Sequence, residues 1–170
     1  VKAHVGWRRK LCEHVAPFTA GGRGNDDVLR IEAALAGGDV AALVAEPVRC
    51  TTVEIPPKDY WRRVRKTCEQ HGTLLIFDEI PTALGRTGCM FAYEHFGVTP
   101  DILALGKGLG GGIFPQAALL ARAELDVCQH TALGHYTHEK SPVGAAAAIA
   151  AEIVGYMLPP PPGATNRSAA

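Results

Sequence analysis

The sequence predicts an α/β fold, a mostly parallel sheet flanked by helices. Three observations carry that expectation. Short apolar runs at 40–45, 74–77 and 102–105 are bounded by turn signals, the pattern of strands buried on both faces that a parallel sheet requires. A helical pattern separates the first two runs, giving a strand, helix, strand unit whose crossover is almost always right-handed. Each run also ends at or near an ionisable residue, Glu46, Asp78 or Lys107, at the edge where open α/β sheets bind their ligands.

In chain order, 1–24 is a basic opening followed by loop-like sequence. Asn25 or Asp26 is expected to cap a helix with Val28, Ile31 and Leu35 at helical spacing, stopped by Gly37 and Gly38. After the first strand and Pro56 and Pro57, the segment 58–72 puts Tyr60, Trp61, Val64, Cys68 and His71 on one helical face, with Gly72 as its stop. Residues 115–121 read as a strand returning toward the core, and a short helix follows. A polar loop spans 133–142. Ser141 caps and Pro142 opens a helix reaching about Met157; it is apolar nearly all round and so is expected to be buried. The end, LPPPPGATNRSAA, breaks that helix and offers no core-forming residues. One folded body over 1–157 and a disordered Pro-rich tail over 158–170 are therefore expected.

At 170 residues the chain is long enough for one domain with a real core. Lys+Arg and Asp+Glu balance at 17 each, so no field of one sign points to nucleic acid or an anionic membrane. Nothing reads as a membrane span or a signal peptide. The cysteines, Cys12, Cys50, Cys68, Cys89 and Cys128, form no CxxC, and a reduced, cytoplasmic protein fits them best.

Asp78 and Lys107 set the chemistry. A lysine buried in an apolar, Gly-lined site is disfavoured as a cation and becomes a nucleophile toward carbonyls. A cofactor aldehyde is its natural partner. Pyridoxal phosphate is held as a lysine Schiff base and needs an acid at its pyridine nitrogen, the role open to Asp78. Other readings of these residues lack their context. An acid after an apolar run also fits a Walker B strand, but that needs an upstream GxxxxGK[ST] loop, and none is found. Gly106, Gly108 and Gly111 fit GxGxxG, yet GIFPQAALLA follows, where a dinucleotide site requires a helix. His135, His138 and Glu139 match neither HExxH nor HxxEH, so no metal is expected.

The runs FDEIPTALGRTG and DILALGKGLGGG closely resemble the class III aminotransferases, pyridoxal phosphate enzymes of fold type I. That resemblance implies that Asp78 contacts the pyridine nitrogen, Ile80 packs on the ring, and Lys107 forms the Schiff base and then acts as general base and acid. It implies that Thr137 reaches the cofactor phosphate of the partner subunit in a homodimer. Glu46, in the family's EP motif, and Glu79 are expected to face the substrate or support the site. Arg49 and Cys50 stand where a Gln-Gly pair is usual, and Pro81 where many members carry a Gln that bonds the cofactor ring. The implied activity moves an amino group from an amine or amino acid to a keto acid. Elimination releasing ammonia or phosphate is the alternative. The resemblance covers only the later part of the family's large domain, so a truncated, non-catalytic remnant is a competing expectation, with the proline run as an altered end.

Overall fold

The computed structural model describes residues 24–128, 130 and 141–157. The expectations for the opening, for the loop carrying Thr137, His135, His138 and Glu139, and for the proline tail lie outside those residues. Four strands, β1 (Ala42–Ala45), β2 (Leu74–Asp78), β3 (Ile102–Leu105) and β4 (Ala118–Ala121), lie side by side in chain order. The first three are parallel and β4 runs antiparallel to β3. Pairing of Ala45 with Phe77 and of Phe77 with Leu103 brings the three parallel strands to a common carboxyl edge.

Helices α1 (Gly24–Leu35) and α2 (Tyr60–His71) pack on each other, and α2 lies against β2. Val28, Ile31 and Leu35 of α1 are buried, as their spacing predicts. From α2 the core takes Tyr60, Trp61, Val64 and Cys68, together with Thr67, which the apolar pattern did not include. They meet Leu43, Leu75, Phe77, Leu103 and Leu105 of the sheet. Trp61 sets its ring edge-on to Phe77, with centroids 4.8 Å apart, and its indole N–H donates to the Pro47 carbonyl at 2.9 Å. One side chain thus ties α2 to the end of β1, and truncating it to alanine would cost about 3–5 kcal/mol. Gly72 ends α2 with φ of 63°, a left-handed conformation that glycine adopts without a Cβ clash.

Five expectations need correction. Asn25 and Asp26 lie within helix α1 (Gly24–Leu35) rather than before it, so neither is its cap. The strands are buried on one face only: Leu43, Leu75 and Leu103 are covered, whereas Ile76 and Ile102 are half-buried and Val44 is exposed. A continuous apolar run states that both faces dislike water, and not that both have partners. Only 118–121 of the segment 115–121 pair as a strand, and that strand is an edge rather than core, with Leu119 71 % and Leu120 49 % exposed. The short helix after it is a single 3₁₀ turn, Ala123–Leu125.

Helix α3 (Pro142–Met157) starts as predicted, with the Ser141 hydroxyl accepting the Gly144 N–H at 3.4 Å. It is not buried, however, because Val143, Ile149 and Ile153 are all more than half exposed. It touches the 3₁₀ turn Lys107–Gly110 and the residues just after it. There Gly144 sits so close to Gln116 and Phe114 that a Cβ would lie 2.9 Å from the Phe114 ring. No described element covers its other sides.

Candidate functional site

The parallel register aligns Glu46, just after β1, with Asp78, the last residue of β2. Asp78 in turn pairs with Ala104 of β3, three residues before Lys107. All three ionisable residues singled out in the sequence therefore share one edge of the sheet. Asp78 belongs to the same face as Ile76, the uncovered one. It is half-buried, and its Oδ1 accepts the Ile80 N–H at 3.0 Å. Its Oδ2 has no hydrogen bond among the described residues.

Beyond Asp78 the strand direction is carried one residue further by the Glu79 N–H, which donates to the Ala104 carbonyl at 3.0 Å. The chain then turns sharply, with the Glu79 carbonyl accepting from Thr82 and Ala83. This turn throws Ile80 against the next strand's exit. A Cβ on Gly106 would lie 3.2 Å from Ile80 Cγ2, closer than side-chain packing normally permits. Gly106 is thus the residue that lets Ile80 sit over the start of the lysine turn.

Lys107 opens that turn with φ of 44°, a left-handed conformation that costs a non-glycine residue about 1–2 kcal/mol. Its side chain is exposed, which corrects the expectation of a buried lysine. The glycines around it let the backbone pack closely against Ile80, Leu84 and Gln116, while the lysine side chain stays exposed.

Glu79 is the opposite case. It is fully buried and turned away from the edge: Oε2 accepts the Ala92 N–H at 2.6 Å and Oε1 the Tyr93 N–H at 2.8 Å, with the Thr82 hydroxyl at 3.4 Å. Its carboxylate closes the loop 80–91 onto the 3₁₀ turn Ala92–Phe96. Burial pushes its carboxyl above the ordinary value, while the two backbone N–H groups and Thr82 pull the other way. Glu79 accordingly supports the turn bearing Ile80, and it does not face the edge.

Glu46 is half-buried and holds the turn that follows it, its Oε2 accepting the Cys50 N–H at 2.7 Å. The Cys50 thiol is pushed up, first by its hydrogen bond to Glu46, whereas the Lys107 charge lowers it. Arg49 pairs with Glu54 as an isolated antiparallel bridge. Thr137 lies outside the described residues.

Sequence reasoning missed Asp101. Buried at the other end of β3, its Oδ2 accepts the Leu75 N–H and meets Arg65, both at 2.7 Å, while Oδ1 meets Arg122 at 3.1 Å. It knots β2, β3, α2 and the residue after β4 together behind the site. A charged residue directly before an apolar run was the available signal. The four described cysteines, Cys50, Cys68, Cys89 and Cys128, are free thiols.

The sequence model of the family described as aminotransferase class-III matches residues 19–154. Over 113 residues the chain is 48% identical to (R)-1-hydroxy-2-aminoethylphosphonate ammonia-lyase of Vibrio splendidus, an alignment covering 66% of this chain and 24% of that protein. It is 48% identical over 100 residues to acetylornithine aminotransferase of Methanopyrus kandleri, covering 58% and 25%. Among solved structures, ornithine aminotransferase from Toxoplasma gondii superposes with a TM-score of 0.73 at 38% identity, covering 82% of this chain and 34% of that one. The chain spans about a quarter of the length of the curated relatives it matches.

Proposed function

The chain belongs to the class-III aminotransferase family, and from that premise we propose that its sheet edge holds pyridoxal phosphate and serves amino-group transfer from an amine or amino acid to a keto acid. The observation that carries the reading is the register that sets Asp78 beside Ala104, just before Lys107, with Ile80 laid on Gly106 between them. The donor set fits a pyridine ring. Asp78 Oδ1 is committed to its own turn, which leaves Oδ2 available to hold the proton of a ring nitrogen, and Ile80 offers an apolar surface against one ring face. When bound, the cofactor supplies an aldehyde for the amine and an electron sink.

The protein's part is binding and proton movement. Lys107 Nζ would be the attachment point and, once displaced by the substrate amine, the base that takes a proton from the substrate carbon and, as the acid, delivers it to the cofactor carbon that carried the aldehyde. Its exposure keeps the nitrogen within reach of an incoming amine. Thr137 is assigned to the cofactor phosphate of a partner subunit, and the assembly is read as a cytoplasmic homodimer. Residues 1–157 are the cofactor-binding body and 158–170 a tail.

A second reading, elimination releasing ammonia, is favoured by a specific set of residues. Arg49, Cys50 and Pro81 all depart from the usual pattern, and Pro81 has no side-chain donor for a ring substituent. One relative is itself named an ammonia-lyase. The deciding test is to add pyridoxal phosphate, reduce with borohydride and map the labelled peptide by mass spectrometry. Label on Lys107 that is lost in Asp78→Ala is the expected result. Label scattered over surface lysines would refute the site. Product analysis of the loaded enzyme, for amino-group transfer against free ammonia, then separates the two activities.

A further inference from the structure

We propose that Arg49 is a specificity residue that recognises a distal anionic group, phosphonate or carboxylate, on the amine substrate, with Glu54 as its resting partner. This rests on the reading of Asp78 and Lys107 as an amine-handling site, and adds which amines that site takes.

The backbone around Arg49 is held on both sides. Before it, the Pro47 carbonyl is pinned by the buried Trp61 indole; after it, the Cys50 N–H is bound to Glu46. The Arg49 N–H itself donates to the Glu54 carbonyl at 3.1 Å. The tight connection between the two closes through Val53, which has φ of 53°. A β-branched residue in that region is an outlier that persists only where the surroundings impose it. Strain is therefore spent on keeping Arg49 and Glu54 opposite one another.

The Arg49 side chain, by contrast, is barely engaged. Its guanidinium comes no closer than 3.9 Å to Glu54 Oε2, beyond hydrogen-bond range, and it has no other partner among the described residues. Glu54 Oε2 is itself buried without a hydrogen bond. An arginine that only stabilised this turn would close that gap and bond Glu54 directly. Instead its five donors, in a fixed fork, belong to the turn anchored back on Glu46, the residue that the strand register sets level with Asp78 at the edge. That fork matches the paired oxygens of a phosphonate or carboxylate. An amine without such a group would leave Arg49 with its weak Glu54 contact alone.

The test is calorimetric titration of the chain with methylphosphonate and, separately, with acetate, for the unaltered chain, Arg49→Gln, Arg49→Lys and Glu54→Gln. Arg49→Gln should weaken anion binding by about tenfold or more, Arg49→Lys should recover part of it, and Glu54→Gln should tighten it. The anion bound more tightly identifies the substrate group. Failure of the unaltered chain to bind either anion overturns the proposal, as does equal affinity in Arg49→Gln. If Arg49→Gln does not fold, Arg49→Lys decides alone, and unchanged affinity there is refutation. Borohydride trapping of pyridoxal phosphate on the same variants separates the two readings. Loss of the Lys107 adduct only in Arg49→Gln would assign Arg49 to the cofactor and overturn the proposal. Absence of the adduct in every protein, with anion affinity still falling in Arg49→Gln, refutes the cofactor reading and leaves the anion site standing.

Discussion

Replacing Glu79 with glutamine sets two opposed effects against each other in one buried group. The carboxylate accepts the Ala92 and Tyr93 N–H groups through separate oxygens, at 2.6 and 2.8 Å. Glutamine offers one oxygen and an NH2, so one of those buried N–H groups must face a donor. An unmet buried donor costs about 1–3 kcal/mol, and the surviving bond loses its charge assistance. Against this, the amide carries no charge to desolvate. The two accepted bonds already offset much of that penalty in the native protein, so the variant should be less stable by about 2 kcal/mol at pH 7. The sign of the pH dependence follows from the raised carboxyl. An acid whose folded-state value exceeds its unfolded value, about 4.3, carries no penalty below that pH and loses stability as pH rises through the folded value. Glutamine has no such component, so the gap between the two proteins should narrow from pH 4 to pH 7. Urea denaturation across that range measures it, and amide exchange at Ala92 and Tyr93 should accelerate in the variant. Coincident midpoints at every pH with unchanged exchange would refute the argument.

Three further outcomes are expected. Lys107→Gly should exceed Lys107→Ala in stability by about 1 kcal/mol, since only glycine relieves the positive φ; thermal melts check this, and neither variant should trap the cofactor covalently. Asp101→Asn should cost about 2–3 kcal/mol by removing the buried anion that Arg65 and Arg122 share, leaving each only its exposed partner, Glu69 or Glu124. Burial would raise the Asp101 carboxyl, but Arg65 and the Leu75 N–H outweigh it and hold it below the usual value. Its stabilisation is therefore full above about pH 3.9 and is lost as pH falls through the lower folded value, so the variant's acid arm should flatten. Glu46→Gln should speed iodoacetamide alkylation of Cys50, whose thiol Glu46 holds up, while Cys68, buried and pushed up to about 12, stays silent in both proteins; peptide mapping distinguishes them.

The shared edge of Glu46, Asp78 and Lys107 was legible because each apolar run stops at a charge, and parallel strands of similar length bring such stops together. The helix faces were legible through periodicity, and the Ser141 cap and Gly72 stop through backbone chemistry tied to single residue types. Contacts spanning distant residues were not. Glu79 looked like a companion of Asp78, yet its partners are N–H groups thirteen or more residues on, and backbone donors leave no trace in side-chain identity. Asp101 finds Arg65 thirty-six positions earlier, with no local sign of the pairing. The burial expected of α3, of both sheet faces and of Lys107 failed for one shared reason. Apolar composition records an aversion to water, whereas burial also needs a second surface.

That one-sided sheet has a consequence for how the molecule behaves as matter. Val44, Ile76 and Ile102 line up across three strands, and α3 adds Val143, Ile149 and Ile153. Whatever shields these groups binds the folded form and not the unfolded one, so its concentration enters the folding equilibrium by mass action. The midpoint of unfolding is then not a constant of this chain. It should climb with protein concentration where copies shield one another, and a dilution series would trace that climb as a slope.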